Sequence, residues 1–315
     1  MGPPSVRASE FFRTAPTGFQ VSPVGKPGAM SIIILQKLAA LRSDLRGKKI
    51  AISLSPTWFL TTGINPYLYE GNFSLVAASE MTFGGALDFQ LKRDVASRLL
   101  QFPRTLVQNP ILDFALQRLA SGKWWDRFGF YALWPIGKLQ NAIFDLRDHF
   151  AAMVYIFGES NPIQPSQLQN LDWPGLISQF SASSGSAEET GDETLEWQLV
   201  PSGGDAGFVA RVESAREWND LELLLRTLDQ IHAQSLFLSM PMDGRFFDKA
   251  GISCAARETY YEKLRMLAQR YHFALVEFED HDGDADFLDH HRSHLSGKGW
   301  VFYDRALADF FSKTK

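Results

Sequence analysis

The sequence is short of three things. It has one cysteine, Cys254, in 315 residues, so it closes no disulfide within itself and builds no cysteine-based zinc site. Cys254 is expected to be a small buried hydrophobe. It does not fix the compartment, because exported proteins also do without disulfides. The chain has no uninterrupted apolar run of the ~18 residues a membrane span needs, and its start, Met1 to Phe12, lacks the basic head and apolar centre of a secretory signal. As given, it reads as soluble. It also lacks an excess of positive charge. Thirty-one Lys and Arg against 36 Asp and Glu leave a net charge of −5, which excludes a nucleic-acid binder held mainly by phosphate contacts.

What is present is a globular composition, 45% hydrophobic and 21% charged, with enough length to bury a substantial core in one large α/β domain or two smaller ones. Phe19 to Gly25 reads as a short strand, followed by a tight turn from Gly25 to Gly28. Ile33, Leu38, Leu41 and Leu45 recur at helical spacing, so residues 30–45 read as a helix stopped at Gly47. Lys49 to Ser55 is a continuous β-rich run, of the kind buried on both faces of a parallel sheet. Strand, glycine turn, helix and strand make a βαβ unit.

Residues 81–157 are helical in pattern and rich in aromatics. Trp124, Trp125, Phe128, Phe130, Tyr131 and Trp134 are expected in the core, the alternative being a membrane-interface or partner surface. From about 181 to 194 the composition turns small and acidic, which marks a flexible surface loop within one domain. Ser214 to Glu217 reads as a capping box ahead of a helix presenting Leu221, Leu224, Leu225, Leu228 and Ile231. Ser235 to Met240 is a buried strand, residues 255–271 a helix, and Phe273 to Phe278 a further strand.

Three strand ends, at Ser55, Pro241 and Asp280, therefore meet at one edge of the sheet, where open α/β proteins keep their ligands. The last delivers the chain into the segment from Phe287 to Trp300. Gly283, Gly297 and Gly299 are expected to hold that region as loop, ahead of a closing helix from Trp300 to Phe311. His281, His290, His291 and His294 lie in or beside it, with Asp280, Asp282, Asp284 and Asp286 upstream. Histidine titrates near neutral pH and a nearby carboxylate can hold its ring in one tautomer, so His294 with Asp289 is a candidate base and orienter. Three readings stand at this point. The first is serine/histidine/aspartate acyl chemistry. The second is a divalent metal site, which the side-by-side His290 and His291 suit poorly; as a calcium loop, the acidic run is out of register at Gly283. The third is a solvated acidic loop with no chemistry. Ser55, Thr57 and Trp58 either touch substrate or form an ordinary Ser-Pro turn over the core.

Four motifs in order carry a resemblance. They are Ser55-Pro56-Thr57-Trp58-Phe59 with Gly63, Trp218-Asn219-Asp220-Leu221, the strand ending at Pro241, and His294-Leu295-Ser296-Gly297-Lys298-Gly299-Trp300. Together, from about Val6 to Phe311, they resemble the D-alanine transfer protein DltD family. The resemblance implies an α/β fold of the SGNH-hydrolase type, a three-layer α/β/α sandwich with a mainly parallel sheet. That domain would fill residues 1–315, with the helical stretch at about 81–157 as an insertion. It implies a membrane-anchored, extracytoplasmic protein that moves D-alanyl esters between a carrier donor and an anionic envelope polymer such as teichoic acid. No cofactor, metal or nucleic acid is implied, and a membrane acyl-transfer complex is an implied partner.

On this resemblance His294 is the catalytic histidine, and Gly25 and Gly28 fall where an oxyanion-site glycine is expected. The family's aspartate, three positions before the histidine, is replaced here by His291, so either Asp289 takes over through a loop with two extra residues or His294 is left without that partner. The family's Gly-Ser-Ser-Glu nucleophile motif has no counterpart before Gly25, Ser9-Glu10 being a partial echo. The expectation is an N-terminally shortened member without the anchor, the first strand or the nucleophilic serine. A non-catalytic role as polymer binder or assembly partner is the alternative.

Overall fold

Three β-favouring runs become strands: β1, Lys49–Leu54, β2, Gln234–Ser239, and β3, Ala274–Glu277. The computed structural model describes residues 2–15, 17–19, 21–158, 171–182, 200–289 and 294–312, and within them the strands form one parallel sheet in the order β1-β2-β3. Ile52 lies opposite Phe237, and Leu238 opposite Val276. Successive side chains of a strand point to opposite faces. Phe237 therefore joins Ile52 and Leu54 in a first core, while Leu236 and Leu238 join Ala51 and Val276 in a second. The helices Ser31–Leu41, Glu217–Gln230 and Cys254–Tyr271 close the first core, and Ala8–Thr14, Trp173–Ala182 and Gly297–Ser312 the second. Both faces of the sheet are thus covered, as parallel pairing requires. The protein is of the α/β class.

Local chemistry places the helix starts. Asn109 and Ser253 accept from the backbone N–H groups of Leu112 and Ala256, each satisfying a donor that the first turn leaves without an intrahelical partner. In the Glu217–Gln230 helix, Leu221, Leu224, Leu225 and Leu228 are all buried at spacings of three and four, and this apolar stripe fixes its orientation on the sheet.

Several expectations fail for identifiable reasons. Residues 21–25 form no strand; the segment is largely exposed and Pro23 offers no donor for a ladder. β1 is an edge strand whose Ser53 is exposed, so only Ile52 and Leu54 are sunk in the core. The capping box is absent: Ser214 ends the preceding helix, Gly204–Ser214, bonding Ala210 O at 2.7 Å, and Glu217 turns instead to the backbone N–H of Ser31. Gly297 and Gly299 lie inside the closing helix. It starts three residues early because Ser296 caps it, accepting from Gly299 N. Gly299 is there for space, since a Cβ would fall 2.4 Å from Phe287 O. Cys254 is exposed at a helix start.

The aromatic cluster on the helix Trp124–Gly158 is not core. Phe130 alone is buried, stacked on Phe83, while Trp124, Trp125, Phe128, Tyr131 and Trp134 face outward. Most of the acidic 181–194 stretch lies outside the described residues.

Candidate functional site

Parallel strands send all their carboxyl ends to one edge, and the loops leaving that edge are tied together. At the end of β1, the Ser55 and Thr57 hydroxyls bond each other at 2.7 Å. Phe59 packs on Trp218 and Tyr260 with ring centroids 4.0 and 5.2 Å away, and Trp58 leans half-buried on the same core. This is a Ser-Pro turn seated on its aromatics. At the end of β2, Met240 N donates to Leu54 O. Met242 N donates to Asp282 Oδ1 at 2.8 Å and Gly244 N to Asp282 O at 2.8 Å. The Tyr261 hydroxyl also donates to Asp282 Oδ1 at 2.8 Å, and Arg257 Nε lies 3.7 Å from Oδ2. Asp282 thus clamps the loops after β2 and β3. Burial pushes its carboxyl up to about 6, against the pull of the Tyr261 and Met242 bonds and the Arg257 charge.

The next turn is an ion-pair knot. His281 Nδ1 meets Asp284 Oδ2 at 2.8 Å and its ring stacks on Phe287 at 4.3 Å. Lys298 Nζ reaches Asp284 and Asp286 at 2.9 Å each. Burial works to raise the Asp284 carboxyl, but the bonds from His281 and Lys298 outweigh it and hold Asp284 below the usual carboxylate range. Asp284 and Asp286 are therefore committed to fixing the loop onto the closing helix. Among the described residues no group of three or more His, Cys, Asp or Glu is placed to hold a metal.

From this knot the chain runs through buried Phe287 into a narrow hairpin. Leu288 and Leu295 form an antiparallel bridge, and Asp289 N donates to His294 O at 2.7 Å. Asp289 and His294 are thus brought face to face at the neck of the loop, Asp289 half-buried and His294 exposed. His290 and His291 lie outside the described residues. The neck is backed by Ser296 N bonding Phe287 O at 3.0 Å and by Gly2 N bonding Leu295 O at 3.1 Å. Ser296 Oγ bonds Asp286 O as well as capping the helix, so this hydroxyl is structural.

The Gly25 to Gly28 turn stands elsewhere. Gly28 takes a left-handed φ of +77° and lies so close to the helix Pro66–Asn72 that a Cβ would fall 2.9 Å from Leu68 Cβ. Asn72 Nδ2 donates to Pro27 O at 2.8 Å. Ala29 and Met30 enter the first core, whereas Phe287 and Leu295 belong to the second. The turn and His294 are therefore anchored on opposite faces of the sheet.

Beneath that turn lies a group that sequence reading missed. Ser31 N donates to Glu217 Oε1 at 2.9 Å, and burial raises this carboxyl to about 8. Nearby, Arg98 grips Asp220 with two bonds of 2.7 and 2.8 Å. Asp220 lies inside the Trp218–Leu221 motif, but its partner is 122 residues away, so spacing gave no signal of the pair.

A family model described as DltD protein matches residues 4–196 and 207–312, a span that takes in all three strands, Asp282 and the His294 loop. The chain belongs to the DltD family. Protein DltD of Bacillus subtilis (strain 168) is 26% identical over 316 residues, covering 98% of this chain and 79% of its own length. Protein DltD of Staphylococcus aureus (strain NCTC 8325 / PS 47) is 23% identical over 292 residues, with 90% and 72% covered. Protein DltD of Lacticaseibacillus rhamnosus is 21% identical over 329 residues, with 99% and 74% covered. The DltD match spans each of the four motifs read from the sequence.

Proposed function

We propose that this DltD family chain acts outside the cytoplasm in moving D-alanyl esters to or from an anionic envelope polymer such as teichoic acid. In this reading it is one SGNH-type three-layer domain with the aromatic helical stretch as an insertion, and a sheet covered on both faces supports that architecture. His294 is the base. It takes the proton of an attacking hydroxyl as the acyl carbon–oxygen bond forms, then returns it to the departing oxygen or sulfur, with Asp289 orienting its ring. The observation that carries the proposal is the 2.7 Å bond from Asp289 N to His294 O. It pairs the backbones of an aspartate and a histidine across the neck of a surface loop beyond the sheet's carboxyl edge, open to a polymer too large for a closed cleft.

In this reading the nucleophile is not one of the hydroxyls read at the sheet edge, since those of Ser55, Thr57 and Ser296 are each bonded to structural partners within the protein. The test measures D-alanine esters on the envelope polymer of cells dependent on this chain. His294→Ala is expected to lower them at least tenfold, in line with the 10²–10⁴-fold usual for a general base, with the protein still present at normal level. A fluorophosphonate serine probe should leave the purified chain unlabelled, and stoichiometric labelling would refute the missing nucleophile. The same bonded hydroxyls favour a second reading, in which the loop binds polymer without chemistry. There His294→Ala would weaken polyol-phosphate binding and leave acyl transfer in a reconstituted system unchanged.

A further inference from the structure

The helix Trp124–Gly158 is turned inside out. Beside the buried Phe130 and the half-buried Leu133, the side it presents to the protein is small or polar. Asn141 is buried and bonded to Ser79, Asp126 is buried and bonded to Ser121 and Arg118, and Gly137 lies against Phe83, where a Cβ would fall 2.3 Å from the ring. The outward side carries Trp125, Phe128, Ile136, Leu139, Ile143 and Leu146, at 64, 69, 51, 63, 58 and 72% exposure. At 100° per residue these six fall within one strip about 80° wide, and at 1.5 Å per residue it runs about 32 Å along the helix. No charged side chain falls inside that strip. A contiguous exposed apolar surface of this kind marks an interaction site.

We propose that this strip is a lipid-docking surface, on which the protein lies against a bilayer carrying anionic headgroups. Three observations select lipid over a protein partner. The strip is a convex ridge on a single helix, and Trp125 Nε1 is the sole hydrogen-bonding side-chain group among the six. A protein interface of useful size carries about one hydrogen bond per 100–200 Å², whereas acyl chains ask for none. One border of the strip carries basic and aromatic side chains, with Asp145 the one acidic member of the same row. Arg127 sits over the Tyr131 ring at 5.8 Å, and Lys138 over Trp134 at 5.3 Å. Trp and Tyr favour the headgroup level and basic residues are drawn to anionic headgroups. Finally, the chain's net charge of −5 opposes an anionic surface as a whole, so Arg127 and Lys138 put local attraction beside the apolar strip. Among the described residues no helix is long and apolar enough to cross a membrane. The helix therefore lies in the interface with one side submerged. This inference stands apart from the acyl-transfer reading and survives its failure.

The test is flotation of the full chain with vesicles of phosphatidylcholine alone and of phosphatidylcholine mixed equally with phosphatidylglycerol. Tryptophan quenching by brominated acyl chains is read in parallel. The chain should float with the mixed vesicles at least tenfold more than with phosphatidylcholine, and its tryptophans should be quenched. The triple variant Phe128→Ser, Leu139→Ser, Leu146→Ser should retain the helical circular dichroism, because all three side chains are exposed, and should lose at least tenfold in partitioning. A wild-type chain that stays unbound to both vesicle types overturns the proposal. So does a triple variant that floats like the parent, or a dimer in lipid-free buffer that the triple variant abolishes, which would assign the strip to a second copy.

Discussion

Asp304 offers a quantitative test of the buried electrostatics. It sits in the closing helix, fully buried, with both carboxylate oxygens lacking a hydrogen-bond partner among the described residues. Burial alone pushes its carboxyl up to about 9, whereas an unfolded aspartate titrates near ~3.9. The folded protein therefore keeps a proton that the unfolded chain gives up. Its stabilising effect is complete below about pH 4 and is lost as pH rises toward the folded value. One proton of difference costs about 1.4 kcal/mol per pH unit, or about 4 kcal/mol between about pH 5 and pH 8. Asp304→Asn keeps the shape and cannot ionise. Glu217 and Asp282, also raised by burial, titrate alike in both proteins and cancel in the difference. Urea unfolding at each pH, followed by circular dichroism, gives the two stability curves. The stability of Asp304→Asn relative to the parent should climb by about 1.4 kcal/mol per unit across that window, whatever its offset at pH 5. Parallel curves would refute the reasoning, because they would mean that Asp304 is ionised and solvated in the folded state.

Two further changes probe the frame of the site. Arg98→Met strands Asp220, which is almost wholly buried and loses both of its bonds. Breaking one side of such a pair should cost about 3–5 kcal/mol in urea unfolding at pH 7, and Arg98→Lys should recover only part of it because an ammonium cannot make the paired bonds. Gly299→Ala drives a Cβ against Phe287 O, a backbone atom that cannot step aside. It should lower stability by about 1–3 kcal/mol and should also reduce His294-dependent activity, since Phe287 leads directly into the neck that holds His294. A fully active Gly299→Ala protein would show that the neck tolerates displacement.

How much could be read from residues alone follows the range of the forces involved. The three strands were visible because parallel strands buried under helices must be continuously apolar, and Ile52, Phe237 and Leu238 announce them. The Glu217–Gln230 helix was visible because its leucines keep one face. The failures come from contacts between distant segments. Glu217 has the spacing of a cap, but the start of the Ser31–Leu41 helix lies over it and takes its carboxylate. Gly299 reads as a loop residue, yet it is a helical residue that the Phe287 carbonyl leaves no room to enlarge. The outward aromatics of the Trp124–Gly158 helix have the composition of core. Only the position of Phe83 and Ser79 on the other side shows which face the protein had already used.

The sequence by itself determined the α/β class, the positions of the three strands, the family and the candidacy of His294, because these depend on local periodicity and on motifs a few residues long. Tertiary structure decided the rest. It set Asp289 against His294 across a bridge, gave Asp282 the work of a clamp, and anchored the Gly25 to Gly28 turn on the opposite face of the sheet from His294. It also left the aromatic strip in the open. Each of these is a choice among surfaces that only packing can make, since burial of a side chain is a property of what comes to lie on top of it.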